Sequence, residues 1–127
     1  MSSYEVSVCV SFQASHALPL GDGRMEPSHL HTWETTATFR SADIDNEMGV
    51  VIDFVAVRAA LEKIASRLDA EDLNALDAFT PATTSAENVA AHIADELQQT
   101  LPGAEGLYRV AVTEAPGCTA AYYPNNP

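Results

Sequence analysis

Three histidines in the first quarter of the chain have the spacing of a metal site. His29 and His31 are two residues apart, and His16 lies thirteen residues before the first of them. On an extended strand, residues i and i+2 project to the same side, so both imidazoles can face one cation. A third imidazole from the neighbouring strand would complete a three-nitrogen site with one open position, as in catalytic zinc. The competing interpretation is a chance HxH pair with no shared ligand.

Two carboxylates lie where they could act beside these histidines. Glu26 stands three residues before His29, so it is either a general base that reaches the metal region or a solvated loop acid. Glu114 ends an apolar strand face immediately before a turn. A carboxylate there can accept two N–H donors from a planar heterocycle, although position alone favours an ordinary strand-end acid.

The histidines fall at the ends of two predicted strands. Apolar and polar residues alternate over residues 4–12, and a second strand-like run covers residues 31–39. A stretch with glycine and proline at 19–27 separates them, which predicts an antiparallel hairpin with a long loop. Two further strands are predicted over residues 107–114 and 119–123.

Between the two pairs of strands the apolar period becomes that of a helix. A first helix is predicted after Asp53 as N-cap, with apolar residues at spacings of three and four: Phe54, Val57, Leu61, Ile64 and Leu68. A second helix follows the segment Thr84-Ser85-Ala86-Glu87, which fits a capping box, and should end near Pro102-Gly103. His92 falls on the polar face of this second helix and is predicted to be solvated.

The order strand, strand, helix, helix, strand, strand predicts an α+β fold. Residues 1–127 are 46% hydrophobic, enough for a single domain with its own core. Four strands cannot close on themselves, so sharing of sheet edges between subunits predicts a homo-oligomer. A cupin-like barrel would use the same HxH pair but needs many more strands, and the two helical periods count against it.

The charge excludes several classes of partner. Six basic against eighteen acidic residues give a net charge of −12, and residues 41–106 alone hold three basic against thirteen acidic residues. Nucleic acids and anionic membrane surfaces bind to clustered Lys and Arg, so neither is an expected partner. The opening residues show no signal-peptide or membrane-spanning pattern. A reduced, cytoplasmic setting is therefore expected, in which Cys9 and Cys118 are packing residues and not a disulfide.

Several short motifs follow one another along nearly the whole chain. In order, they are Phe12-Gln13-Ala14-Ser15-His16, His29-Leu30-His31, Gly49-Val50-Val51-Ile52-Asp53-Phe54, Leu68-Asp69 with Leu73-Asn74, Ser85-Ala86-Glu87-Asn88 and Thr113-Glu114. Each is weak alone, but their order is specific. On these motifs the chain resembles the 6-pyruvoyl tetrahydropterin synthase and 6-carboxytetrahydropterin synthase family.

The resemblance implies a tunnelling fold, in which ββααββ subunits join their sheets into a barrel, usually as a hexamer made from a dimer of trimers. It also implies that His16, His29 and His31 hold Zn²⁺. By the same resemblance, Glu114 anchors the ring of a pterin substrate and Ser85 helps to hold it.

Three positions depart from the family pattern. Met25 stands where the family has a Cys four residues before the first His of an HGH motif, and Leu30 replaces the central Gly, which adds bulk beside the metal. Ala70 replaces the His that follows Asp69 in the family pattern. A positioned base contributes roughly two to four powers of ten in rate, so loss of Cys and His should strongly impair the usual reaction.

The remaining carboxylates suggest a substitute for the missing base. A branch of the family that resembles this chain has Glu three residues before its first zinc His, as in Glu26-Pro27-Ser28-His29. That branch cleaves the side chain of dihydroneopterin triphosphate to give 6-hydroxymethyl-dihydropterin. The resemblance thus implies a zinc-dependent lyase acting on a reduced pterin such as 7,8-dihydroneopterin triphosphate, with Glu26 and Asp69 as catalytic carboxylates. The alternative is a diverged homologue that binds zinc and a pterin or purine-like ligand without the synthase activity.

Overall fold

The computed structural model describes residues 2–125 and has the predicted element order with one addition. Its strands and helices are β1 Tyr4–His16, β2 His29–Ser41, α1 Phe54–Leu68, β3 Glu71–Asp72, α2 Ala86–Thr100, β4 Leu107–Ala115 and β5 Cys118–Tyr122. The prediction of an α+β, ββααββ chain is confirmed. The count of four strands was wrong because β3 has only two residues, which is too short to show an alternating pattern.

One five-stranded sheet, in the order β3-β1-β2-β4-β5, carries the whole fold. The β1–β2 hairpin is antiparallel over its full length, from Tyr4 opposite Ser41 to His16 opposite His29. β4 pairs antiparallel with both β2 and β5, and the short β3 runs parallel to the end of β1. The predicted hairpin with a long loop is therefore confirmed.

Both helices pack on the side of the sheet that bears the alternating apolar residues. Val8, Val10 and Phe12 of β1 share one core with Leu61 of α1 and Ile93 of α2. Burial of such side chains stabilises the fold by roughly 1.5–3 kcal/mol each. Phe54 was predicted to face this core, but it is 52% exposed. It is the first residue of α1, and the buried side of that helix begins one turn later.

The helix starts test the capping predictions. Asp53 caps α1 as predicted, since its carboxylate accepts the N–H of Val55 at 2.9 Å. The capping box predicted for α2 was placed one residue too early. Ser85 is the N-cap, and its Oγ atom accepts the N–H of Asn88 at 3.2 Å. Thr84 cannot serve as the cap because its side chain is buried and points to other partners.

Three further side chains differ from their predictions. Cys9 and Cys118 are free thiols and both are exposed, so they are not packing residues. Cys9 lies on the side of β1 that faces away from the core, where the alternation of the strand places it. His92 is half-buried and not solvated, because the ring of Phe79 lies 5.2 Å from its own. No helix in the described part of the chain is both long and apolar enough to cross a membrane.

Candidate metal site at the open end of the hairpin

The pairing of β1 with β2 brings the three histidines together. His16 lies directly opposite His29, and Ala14 lies opposite His31, so the three imidazoles project from one face of the hairpin end. Their ring centroids are separated by 4.7 Å for His16 and His29, 4.5 Å for His29 and His31, and 5.3 Å for His16 and His31. The spacing in sequence thus becomes one compact group.

Glu114 joins this group from β4. The adjacent residue, Thr113, pairs with Glu34 of β2, which brings the end of β4 alongside the histidine-bearing strand. The Glu114 Oε1 atom lies 3.4 Å from Nε2 of His31 and 3.7 Å from Nε2 of His16. One ligand atom from each of His16, His29, His31 and Glu114 lies within 4.8 Å of all the others. This set is called the HisGlu cluster below.

Hydrogen bonds at Nδ1 leave Nε2 of His16 and His29 free to bind a metal. Nδ1 of His16 donates to the carbonyl oxygen of Thr84 at 2.7 Å, and Nδ1 of His29 donates to that of Pro27 at 2.9 Å. A carbonyl can only accept, so the proton sits on Nδ1 and the lone pair sits on Nε2. Such hydrogen bonds orient most metal-binding histidines.

Two of these nitrogens are buried without a partner. Nε2 of His16 and Nε2 of His31 have no hydrogen bond within the described residues. A buried polar atom left unpaired costs about 1–3 kcal/mol. A cation between the three rings would satisfy both atoms, so the donor set of three nitrogens with a nearby carboxylate fits a metal such as zinc.

Electrostatics also favours neutral imidazole at His31. Burial lowers its pKa, and the negative charge of Glu114 only partly opposes that effect. The neighbouring rings of His29 and His16 lower the pKa of His31 further. A neutral ring presents a lone pair instead of a proton, which is the form that binds a metal.

Glu26 lies at the mouth of the HisGlu cluster. Its Oε1 atom accepts the N–H of Leu18 at 2.9 Å and lies 3.8 Å from Nε2 of His29. The N–H of Glu26 in turn donates to the carbonyl of Leu18 at 2.9 Å, so the two ends of the β1–β2 loop are fastened together. The loop therefore holds the Glu26 carboxylate next to one of the three rings.

Ser85 and Asp69 are not members of the HisGlu cluster. The Ser85 side chain caps α2, although Thr84 beside it holds His16. The carboxylate of Asp69 accepts the N–H of Gln13 at 2.8 Å and lines a groove of about 500 Å³ between β1 and α1. No histidine lines that groove.

The three departures from the family pattern are Leu30 on β2, Met25 in the β1–β2 loop and Ala70 next to β1. Leu30 does not add bulk beside the metal, as was expected, because it points to the opposite face of β2 from the two histidines and is 64% exposed. Met25 is 53% exposed in the β1–β2 loop. Ala70 is an exposed residue with a φ of 63°, and its N–H donates to the carbonyl of Gln13 at 2.6 Å.

Two residues that support the site, Thr84 and Asn74, were not predicted from the sequence. Thr84 contributes its backbone carbonyl to His16, and a backbone group leaves no signature in the residue type. Asn74 holds both backbone groups of Ala17, the residue after His16. Its place in the Leu73-Asn74 motif was the available signal, but the motif alone did not indicate what the amide contacts.

Comparisons with known proteins find relatives in sequence and a solved structure with the same fold. The 6-carboxy-5,6,7,8-tetrahydropterin synthase of Synechocystis sp. is 32% identical over 115 residues, covering 87% of this chain and 84% of that protein. The dihydroneopterin monophosphate aldolase of Pyrococcus furiosus is 28% identical over 104 residues, covering 82% and 83%. The structure of 6-pyruvoyl tetrahydropterin synthase from Caenorhabditis elegans matches the fold with a TM-score of 0.86 at 19% identity, covering 98% of each chain.

The family assignment also extends along the whole sheet and both helices. Residues 5–125 match the 6-pyruvoyl tetrahydropterin synthase family, from the second residue of β1 to beyond the end of β5. This range includes every residue of the HisGlu cluster and Glu26. The chain therefore belongs to the 6-pyruvoyl tetrahydropterin synthase family, whose members include pterin lyases.

Proposed function

We propose that this chain is a zinc-dependent lyase that acts on the side chain of a reduced pterin. The observation that supports this best is the HisGlu cluster, with four ligand atoms that lie within 4.8 Å of one another. Membership of the family supports a pterin as the class of substrate. The dihydroneopterin monophosphate aldolase among the relatives supports 7,8-dihydroneopterin phosphates, including the triphosphate, as the first candidates.

Zinc suits the donor set. His16, His29 and His31 would hold the ion through Nε2, because Nδ1 of His16 and His29 is already engaged with carbonyl oxygens and Nε2 of His31 is the buried, unpaired atom of its ring. Three histidines leave a position for a substrate oxygen. When bound, the ion supplies a Lewis acid that makes a coordinated hydroxyl group more acidic.

Glu26 is the proposed general base. It is the carboxylate nearest to His29, and its bond to the Leu18 N–H keeps one oxygen in place. The second oxygen is free to take a proton from a substrate hydroxyl group. The thioether of Met25, in the preceding position, cannot take up a proton at neutral pH.

Glu114 and Ser85 are the proposed contacts to the pterin ring. The carboxylate of Glu114 can accept two N–H donors of the ring in a paired, charge-assisted arrangement. Ser85 uses an oxygen lone pair to cap α2, so its hydroxyl proton is still available to the ring. Because Oε1 of Glu114 faces His31 and His16, the carboxylate can also ligate the metal. X-ray absorption of the zinc protein with and without pterin distinguishes these two roles.

The role of Asp69 is tied to assembly. Its groove between β1 and α1 borders the edge of β1, where only the last residues pair with β3. At the other end of the sheet, β5 pairs only with β4. We propose that these two edges join in a homohexamer built as a dimer of trimers, in which Asp69 acts in proton transfer at a shared site. Native mass spectrometry tests the assembly, and a monomer would contradict it.

The reaction is tested with purified protein loaded with zinc. The protein is incubated with 7,8-dihydroneopterin triphosphate and, separately, with the monophosphate, and the products are identified by mass spectrometry. We expect 6-hydroxymethyl-dihydropterin, with formation at least a hundredfold slower in Glu26→Gln. Asp22→Asn is the control because it changes another acid of the same loop, one paired with Arg24 outside the HisGlu cluster. A Glu26→Gln variant of normal rate would contradict the assignment of the base.

A second candidate function is a zinc- and pterin-binding protein that lacks the chemistry. Met25 and Ala70 favour it, because neither offers a thiol or imidazole for proton transfer. In that case no product forms, while a fluorescent pterin still binds with equal affinity to the natural chain and to Glu26→Gln. The two free thiols and the acidic surface suit a reducing, cytoplasmic location for either function.

A further inference from the structure

The Leu73-Asn74 motif has no role in the reaction proposed above, yet Asn74 makes three side-chain hydrogen bonds. Its Oδ1 atom accepts the N–H of Ala17 at 2.9 Å, and its Nδ2 atom donates to the carbonyl of Ala17 at 2.9 Å. The hydroxyl group of Thr84 donates to the same Oδ1 atom at 3.1 Å. One amide therefore ties two segments together that are far apart in the sequence.

Both segments contact His16. Ala17 follows His16 directly in the chain, and Thr84 supplies the carbonyl that accepts Nδ1–H of His16 at 2.7 Å. The His16 side chain is fully buried, and Thr84 is 2% exposed. The Asn74 amide thus fixes the backbone of His16 on one side and the acceptor of its ring on the other.

Only a primary amide of this length satisfies the three contacts. Ala17 presents a donor and an acceptor together, so its partner needs an acceptor and a donor at the same spacing. A carboxylate in place of the amide would set a negative oxygen against the Ala17 carbonyl. A hydroxyl side chain is too short to reach both groups.

We propose that Asn74 is a positioning residue of the metal site. By holding Ala17 and Thr84 at a fixed separation, it keeps the Thr84 carbonyl on Nδ1–H of His16 and thereby keeps the Nε2 lone pair directed into the HisGlu cluster. This inference rests on the proposed metal site and not on the pterin reaction. Partners that orient a ligating histidine typically change metal affinity by 10–100-fold when removed. Asn74 acts through Thr84, so the expected loss is about tenfold, the low end of that range.

Two variants each remove a hydrogen bond of Asn74 while they nearly preserve the size of the side chain. Asn74→Asp retains the acceptor for Ala17 N–H but loses the donor to the Ala17 carbonyl. Thr84→Val removes the hydroxyl group, which lies 3.1 Å from Oδ1 of Asn74 and 3.4 Å from the Ala17 carbonyl, and leaves the backbone carbonyl of Thr84 in place. Asn88→Asp is the matched control because it makes the same exchange of amide for carboxylate against the Thr83 carbonyl, and the Asn88 side chain makes no hydrogen bond to Ala17 or Thr84 among the described residues.

The first measurement uses the metal-free protein. Long-range ¹H–¹⁵N spectra report which ring nitrogen of His16 carries the proton, independently of any metal or substrate. We expect a single Nδ1–H tautomer in the natural chain and in the control Asn88→Asp, and a mixture of tautomers in Asn74→Asp. The second measurement is zinc affinity by competition with a chromophoric chelator, where Asn74→Asp should bind about tenfold more weakly and Asn88→Asp should be unchanged.

The outcomes separate this inference from the proposed function. If Asn74→Asp keeps the natural tautomer and zinc affinity, the positioning role is refuted while the metal site stands. If Asn88→Asp causes the same changes as Asn74→Asp, general loosening of the segment explains them and the role of Asn74 is again refuted. If the natural chain binds no zinc, the proposed metal site fails and this inference fails with it. Thr84→Val with the affinity loss of Asn74→Asp supports the positioning role even where Asn74→Asp folds poorly.

Discussion

Replacing His31 with leucine should stabilise the fold without metal and should leave it less stable than the natural chain when zinc is added. Without metal, Nε2 of His31 is buried beside Oε1 of Glu114 with no hydrogen-bond partner. A leucine of similar size removes this unpaired atom, which costs about 1–3 kcal/mol in a buried position. Since the His31 side chain is 21% exposed, we expect a gain of about 1 kcal/mol in the free energy of unfolding, the low end of that range.

With zinc the order should invert. A ligand that binds only the folded state stabilises it by about 2.7 kcal/mol at a concentration one hundred times its Kd. The natural chain gains this amount, whereas His31→Leu has lost one of three nitrogens and gains little. The natural chain should therefore become the more stable of the two by about 2 kcal/mol under those conditions.

Urea unfolding followed by circular dichroism, with a chelator and then with zinc, measures both differences. His92→Gln is the control because it removes a histidine outside the HisGlu cluster, and it should show the full gain from zinc. The reasoning is refuted if His31→Leu is the less stable protein without metal, or if it gains as much from zinc as the natural chain.

Two further predictions concern the scaffold. Burial lowers the pKa of His92 below 6.5, so as the pH falls below 6.5 the unfolded chain binds a proton at His92 before the folded chain does. The stability that neutral His92 provides is therefore lost below pH 6.5. The difference in unfolding free energy between the natural chain and His92→Gln should shrink as the pH falls below that value, and parallel pH profiles would contradict it. Asp53→Ala removes the acceptor for the Val55 N–H and should lower the free energy of unfolding by about 1 kcal/mol in the same urea experiment, whereas a value within error of zero would mean that the cap does not stabilise α1.

The periodic parts of this fold could be predicted from the sequence because one physical rule governs each. Alternation along β1 and the three-four spacing of α1 both reflect burial of one face. The grouping of His16 with the HxH pair followed from the hairpin, whose register places His16 opposite His29. Position alone left Glu26 and Glu114 open to an ordinary solvated role, and the family resemblance selected them as candidates.

What the sequence did not reveal depends on contacts between distant segments. The Thr84 carbonyl contacts His16, and the Asn74 amide contacts Ala17, only after α1, β3 and the following turns have folded. The start of α2 was misplaced by one residue for the same reason, since Thr84 and Ser85 are both good N-cap residues and only tertiary packing removes Thr84. The outward direction of Leu30 was predictable from strand alternation, but the comparison with an HGH motif drew attention to its size and not to its side of the strand.

The full-length pairing of β1 with β2 restricts where the chain can change length. Each strand has 13 residues, and neighbouring residues point to opposite faces. One residue inserted between His31 and Trp33 would turn both histidines of β2 towards the outer face while the core side of the strand stayed buried. An insertion among residues 19–25 would leave intact every pair of the hairpin and both hydrogen bonds between Leu18 and Glu26. Length variation among active relatives should therefore be confined to that part of the loop, and both strands of the hairpin should keep a constant length.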